Sequence, residues 1–292
     1  MNNYSIWMME YARAEKQPAG SFFDGRYNQG SLEAPFCFYV IKGADQVSMV
    51  DIGYDYTGRC KYLADISGCS NWQPVDKVLA KVDVKPDQVR NIFITHAHFD
   101  HIGENLTKFK NAHFYMQRLE YEKWVWALAL PDKFAWVKNP VDPQDIEDIG
   151  NLIKTDKMTL VNGSLKNVLP GIDLVPALNT HSFGCQYIVI NDENGVPSFA
   201  FVGDNVYAYR NLMDENGKNK YTPIGFVMGD KVNTLLSIDD LFTLMGRDPR
   251  KFLITHEAET WNQFPSQKGP DGLHFAEINL AAGEKSFMDV GQ

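Results

Sequence analysis

Short runs of aromatic and β-branched residues alternate with amphipathic stretches along most of the chain. Residues 35–42 (PFCFYVIK) and 46–52 (QVSMVDI) read as two strands joined by the turn Gly43-Ala44-Asp45. Residues 75–82 fit a short amphipathic helix that Pro86 ends, and residues 92–95 form the next strand. Gly103-Glu104-Asn105-Leu106 looks like a helix start running to about Phe109, with a strand at 112–116. Strands recur at 173–176, 186–191, 198–203 and 252–255, and residues 232–245 carry the apolar spacing of a helix. Both halves alternate strands with helices, which predicts an α/β chain of two packed sheets with helices outside.

Two stretches depart from this texture. Residues 1–31 run from mixed polar and aromatic residues into a loop with Gly20, Gly25 and Gly30, and Phe22, Phe23 and Tyr27. That loop fits a surface connection, a flap or a contact between two copies of the chain. Residues 119–153 are helical and aromatic, with Trp124, Trp126 and Trp136, and are broken by Pro131, Pro140 and Pro143. A proline-broken helical insertion between strand-rich halves is suited to capping a site, so residues 1–292 read as one domain with 119–153 as a helical cap.

The chemistry concentrates where strand 92–95 ends. Thr95-His96-Ala97-His98-Phe99-Asp100-His101 places four potential metal ligands in six positions, in a chain with only 7 histidines. Imidazole and carboxylate together suit zinc, or iron and manganese in a more oxygen-rich site. Composition narrows the rest. A net charge of −9 argues against a phosphate-backbone binder and leaves a small-molecule substrate. No signal peptide and no membrane span is expected. Cys37, Cys60, Cys69 and Cys185 form no Cys-x-x-Cys pair, which suits reduced thiols in the cytoplasm.

Three further ligand-type residues stand at strand ends: His181 in Asn179-Thr180-His181-Ser182, Asp204 in Val202-Gly203-Asp204, and His256 in Ile254-Thr255-His256. Any one alone fits turn chemistry; three in series after the cluster do not. His113 and His274 read as structural. The order His-x-His-x-Asp-His, then His, Asp and His, resembles the metallo-β-lactamase superfamily, and Asp51-Ile52-Gly53 looks like that family's Asp-x-Gly turn. The resemblance implies a four-layer αβ/βα sandwich with two divalent metal ions, most simply Zn2+, at one edge. It further implies that His96, His98 and His181 hold one metal, that Asp100, His101 and His256 hold the other, and that Asp204 bridges them. The implied chemistry is hydrolysis by a metal-activated hydroxide, with Asp100 carrying a proton to the leaving group.

Within the superfamily, Tyr207 three residues after Asp204 resembles the quorum-quenching N-acyl homoserine lactonases and pyridoxolactonase, whose tyrosine there donates to the substrate carbonyl region. That likeness implies a lactonase with Tyr207 as oxyanion donor. Phe23, Trp126 and Phe183 are the expected substrate contacts. The chain departs from the common pattern at Ala97 and at Thr180-His181-Ser182-Phe183-Gly184, which puts a long-chain acyl lactone in doubt. Cyclic amides, aryl esters and thioesters of the glyoxalase II kind remain open, as does an iron-dependent sulfur dioxygenase. A homodimer through the loop at residues 20–30 is a further expectation.

Overall fold

The computed structural model describes residues 4–213, 218 and 220–288. Seven strands come first: β1 (Ser5–Pro18), β2 (Ser31–Gly43), β3 (Gln46–Val50), β4 (Cys69–Ser70), β5 (Val89–Phe93), β6 (His113–Gln117) and β7 (Met158–Val161). Five follow as β8 (Leu165–Leu169), β9 (Ile172–Leu178), β10 (Gly184–Asn191), β11 (Pro197–Phe201) and β12 (Phe252–Leu253). The chain then returns through β13 (Ser266–Lys268) and β14 (His274–Asn279). Among the described residues these make two sheets. The larger has the order β13-β14-β1-β2-β3-β5-β6-β7, with β4 added to β1; the smaller has the order β12-β11-β10-β9-β8.

Alternation along the strands divides the apolar side chains among three cores, one for each gap in a helix–sheet–sheet–helix stack. Ile6, Met8, Tyr39, Ile41, Ile188 and Ile190 pack between the sheets. Trp7, Met9, Phe38 and Val40, one position along the same strands, instead join Val78, Leu79, Trp124 and Ile149 from the helices on the outer face of the larger sheet. Tyr187 and Val189 of β10 likewise turn outward to Ile238, Leu241 and Phe242 of the helix Lys231–Leu244. The expected four-layer αβ/βα sandwich is therefore the observed fold.

Several elements differ from the sequence reading. The chain at residues 5–18 is the long strand β1, paired with both β2 and β14. Its first ten residues are buried without alternation, and Glu10 and Arg13 sit inside it as a two-point ion pair of 2.9 and 2.7 Å. Burial on both faces removes the period-two signal by which strands are recognised. The helix expected from Gly103 to about Phe109 shrinks to the single tight turn Leu106–Lys108, while the histidine cluster itself carries a short helix, Phe99–Ile102. Gly103 closes it, its N–H bonded to the Phe99 carbonyl at 2.7 Å. The proline-broken segment resolves into helices Arg118–Leu128 and Pro143–Lys154, with a tighter helix Asp132–Lys138 between them. Among the described residues, no helix is long and apolar enough to cross a membrane.

Candidate metal centre

The ligand-type residues all stand where strands run out at one edge of the sandwich. The chain leaving β5 carries His96, His98, Asp100 and His101; the chain leaving β9 carries His181, that leaving β11 carries Asp204, and that leaving β12 carries His256. One half of the site thus comes from each sheet. His96, His98, His181 and Asp204 bring one ligand atom each within 4.8 Å of one another, and so do Asp100, His101, Asp204 and His256. Asp204 belongs to both groups, and its two oxygens divide between them. Oδ2 faces His181 Nε2 at 3.5 Å and His96 Nε2 at 3.9 Å; Oδ1 faces His101 Nε2 at 3.0 Å and His256 Nε2 at 3.2 Å. Asp100 Oδ2 lies 3.6 Å from the same Nε2 atoms of His101 and His256.

These residues fit a pair of cations better than they fit each other. His181 Nε2 and His98 Nδ1 point together at 2.9 Å. Buried among the seven, His96 Nε2, His101 Nε2 and Asp204 Oδ1 lack a hydrogen-bond partner of good geometry. Each orphaned buried polar atom costs about 1–3 kcal/mol, a penalty a metal removes by taking the lone pair. The same crowding drives the acid–base behaviour of the site. Burial holds His96 and His98 well below the ordinary imidazole range and lowers His181 to about 4, so all three are neutral and able to ligate. Burial also opposes charge on His101, but Asp204, Asp100 and Asp51 together outweigh it and raise that group. Asp204 is likewise opposed by burial, yet the neighbouring His101 and His256 keep it well below the usual carboxylate range.

A second layer of hydrogen bonds orients the ligands. His101 Nδ1 meets Asp51 Oδ2 at 2.7 Å, and the Thr95 N–H and hydroxyl donate to the same carboxylate at 2.8 Å each. Asp51 holds this position at φ +57°, a left-handed conformation uncommon for a residue with a Cβ. His181 Nδ1 pairs with the Phe226 carbonyl at 2.9 Å and His256 Nδ1 with the Pro35 carbonyl at 2.8 Å. In both, the ring N–H is spent on the backbone and Nε2 is left for a metal.

Glu120 is the residue that the sequence reading passed over. It is fully buried and accepts from the Ala97 N–H (2.9 Å), Trp124 Nε1 (2.8 Å), the Ser182 hydroxyl (2.6 Å) and the Gly184 N–H (2.5 Å). It therefore ties the loop of His96 and His98 to the loop of His181. Burial raises its pKa and the four donors oppose that rise. Gly184 permits the close approach: a Cβ there would lie 2.3 Å from the Glu120 nitrogen. The signal available in the sequence was an acid four residues before Trp124 in a helix otherwise read as aromatic.

A cavity of about 290 Å3 opens onto the site, walled in part by Phe22, Phe36, His98, Asp100, Asp204, Tyr207, Phe226 and His256. The Tyr207 ring stands 5.1 Å from that of His256 and 6.0 Å from that of His181. Burial, then the charges of Asp204 and Asp100, keep its hydroxyl protonated well above the ordinary range. Of the aromatic substrate contacts expected from sequence, none lines this cavity. Phe22 rather than Phe23 does so, 5.6 Å from Tyr207, while Phe23 lies beneath the guanidinium groups of Arg26 and Arg210. Trp126 is 52% exposed; Trp124, on the inner face of the same helix, is the tryptophan beside His98, at 5.7 Å. Phe183 packs against Trp124 at 5.0 Å, behind the ligand loops. The proline-broken segment contributes Asn139 and Pro140 to the wall. Outside the site, His113 pairs with Thr159 at 2.7 Å and His274 stacks on Trp261 at 5.1 Å.

No curated protein sequence matches this chain. Solved structures with the same fold include a quorum-quenching N-acyl homoserine lactone lactonase, 20% identical over 90% of this chain and 96% of its own, with a TM-score of 0.66. An N-acyl homoserine lactone hydrolase holding N-hexanoyl-L-homoserine at its catalytic metal centre is 20% identical over 90% of this chain and 97% of its own (TM-score 0.65). The dizinc quorum-quenching lactonase AidC is 14% identical, with 96% of each chain covered and a TM-score of 0.61. Residues 36–256, spanning every ligand position from the first cluster to the last histidine, match the model of the metallo-beta-lactamase superfamily, and to that superfamily the chain belongs.

Proposed function

We propose that this chain is a dinuclear metal-dependent hydrolase that opens a lactone. The observation that carries the reading is Asp204, whose two carboxylate oxygens face two separate groups of ligand atoms beside an open cavity. Two divalent cations bound there, most simply Zn2+, would supply hydroxide at neutral pH and polarise an ester carbonyl. The protein's own part is to place and protonate. His96, His98 and His181 would hold the first metal and Asp100, His101 and His256 the second, with Asp204 offering one oxygen to each group. Tyr207, protonated at working pH, donates its hydroxyl to the carbonyl oxygen as charge builds there. Asp100 lies in the cavity wall with its pKa raised chiefly by burial, which suits a carboxyl group that carries a proton to the departing alkoxide. Phe22, Phe36 and Phe226 give that wall an apolar side, suited to the carbon skeleton of the substrate. The lactonases that share this fold support an ester ring over an amide or thioester.

The test is a pH-indicator screen of lactones, lactams, aryl esters and thioesters on protein loaded with zinc, manganese or iron. Lactone opening at the highest kcat/KM is the expected result. Preference for a lactam or thioester would overturn the substrate class. Oxygen uptake with one iron per chain, and no hydrolysis, would overturn the hydrolase reading itself.

A further inference from the structure

Near the end of helix Phe99–Ile102 lies a second cluster of ligand-type groups, none of which lines the cavity. Cys60, Glu104 and Asp142 bring one ligand atom each within 4.8 Å of one another. Cys60 Sγ stands 4.0 Å from Asp142 Oδ2, while Asp142 Oδ1 is occupied by the Gln144 N–H at the start of helix Pro143–Lys154. A third carboxylate closes on this group: Asp145 Oδ1 accepts from the Glu104 N–H at 2.7 Å. Asp145 is fully buried and its other oxygen, Oδ2, has no hydrogen-bond partner. Cys60 is also fully buried, and Asp142 is 6% exposed.

Charge makes this arrangement unusual. Among the described residues, no lysine or arginine forms an ion pair with Glu104, Asp142 or Asp145. The nearby Arg59 spends its guanidinium on the carbonyls of Lys138, Asn139 and Val141. Buried acids are ordinarily paired, protonated or bound to a metal. Burial raises Asp145 to about 8, opposed by the Glu104 N–H and helped by the charge of Asp142, and burial followed by the charge of Asp145 pushes the Cys60 thiol up. Cys60 and Asp145 are therefore held protonated beside Glu104 and Asp142, with no protein cation among the described residues paired to the group.

We propose that Cys60, Glu104 and Asp142, beside the buried Asp145, form a third metal site, separate from the dinuclear centre, that holds one divalent cation of the zinc class. One sulfur with carboxylate oxygens suits zinc and its neighbours better than magnesium or calcium, which prefer oxygen alone. Binding displaces the Cys60 thiol proton to solvent, so affinity rises with pH. Glu104, the one partly exposed member, gives the ion its way in. The ion joins three segments: the helix Gly58–Ile66 through Cys60, the chain just after the ligand-bearing helix through Glu104, and the start of helix Pro143–Lys154 through Asp142.

Cobalt substitution separates this site from the dinuclear one, whose seven ligands include no sulfur. Purified full-length protein is stripped with chelator, reloaded with Co2+, and read by absorption and by metal content per chain. The expected result is three cobalt ions per chain and a near-ultraviolet thiolate-to-cobalt charge-transfer band. Cys60→Ser should lose the band, and Asp142→Asn should lose one cobalt per chain, with kcat/KM kept within about threefold. Two cobalt ions and no thiolate band in the unaltered protein would overturn the proposal, whether or not either variant folds. A band that persists in Cys60→Ser would overturn it equally, because another cysteine would then be the ligand. The cobalt count and the charge-transfer band, which decide the outcome, are read without any substrate, so they stand apart from the lactonase reading.

Discussion

Two buried carboxylates, Asp51 and Glu120, hold the two ligand groups in place, and they do so differently. Asp51 touches a ligand ring directly, at His101 Nδ1, and takes the Thr95 N–H and hydroxyl beside it. Glu120 touches no ligand ring. Three of its four donors, the Ala97 and Gly184 N–H groups and the Ser182 hydroxyl, are on the loops that carry His96, His98 and His181, and the fourth is Trp124 of its own helix. Asp51 therefore sets the tautomer and basicity of one imidazole, whereas Glu120 sets the distance between two loops. Loss of the first should weaken one metal; loss of the second should loosen three ligands together.

The comparison can be broken at its hinge first. Asp204→Ala removes the carboxylate common to both groups, and metal analysis should show both ions lost with hydrolysis abolished. Glu120→Ala strips four buried donors of one acceptor, each left unpaired at about 1–3 kcal/mol. It should lower the melting temperature by many degrees and release metal from the His96, His98 and His181 group. A variant that melts like the parent and keeps its metals would remove Glu120 from its assigned place. Asp51→Ala should cost about 10- to 100-fold in affinity at the His101 group, with the fold retained. If both variants instead lose both metals to the same degree, the two carboxylates do not act on separate halves. Tyr207→Phe should keep both metals and lower turnover by about 2–4 kcal/mol in barrier, seen as kcat rather than metal content. Because Tyr207 is held well above its ordinary 10, the unaltered enzyme and Tyr207→Phe should show parallel pH profiles up to pH 10. Trp126→Ala, on an exposed face, should change kcat/KM least, by less than about twofold.

The same contrast explains what could be read without coordinates. The ligands announce themselves because a metal site demands residue types that are rare in turns, placed where strands end. Asp51 was recognised because it sits in a motif of fixed local spacing. Glu120 has only Trp124 at local spacing: its three loop partners lie 23, 62 and 64 residues away, and only the docking of helix Arg118–Leu128 onto the ligand loops brings them to one point. Phe22 in the cavity wall and Trp124 beside His98 each stand one or two positions from an aromatic expected there, because the facing of a short helix or a helix end depends on packing that periodicity over a few residues does not fix. The strand β1 was hidden by its own burial, since a strand covered on both faces and carrying the pair Glu10–Arg13 shows no alternation.

The division of the ligands between the two sheets also bears on how the chain reaches its working form. His96 and His256 are widely separated in sequence, and nothing local brings them together. Neither half of the chain holds a complete ligand group by itself, because each group takes at least one member from the other sheet. A metal taken up early in folding would meet only part of its final coordination, whereas a pair bound at full strength reports that the sheets have docked in register. Uptake of metal would in that sense be the last check on assembly, and a chain that misdocked its sheets would lack a complete ligand group.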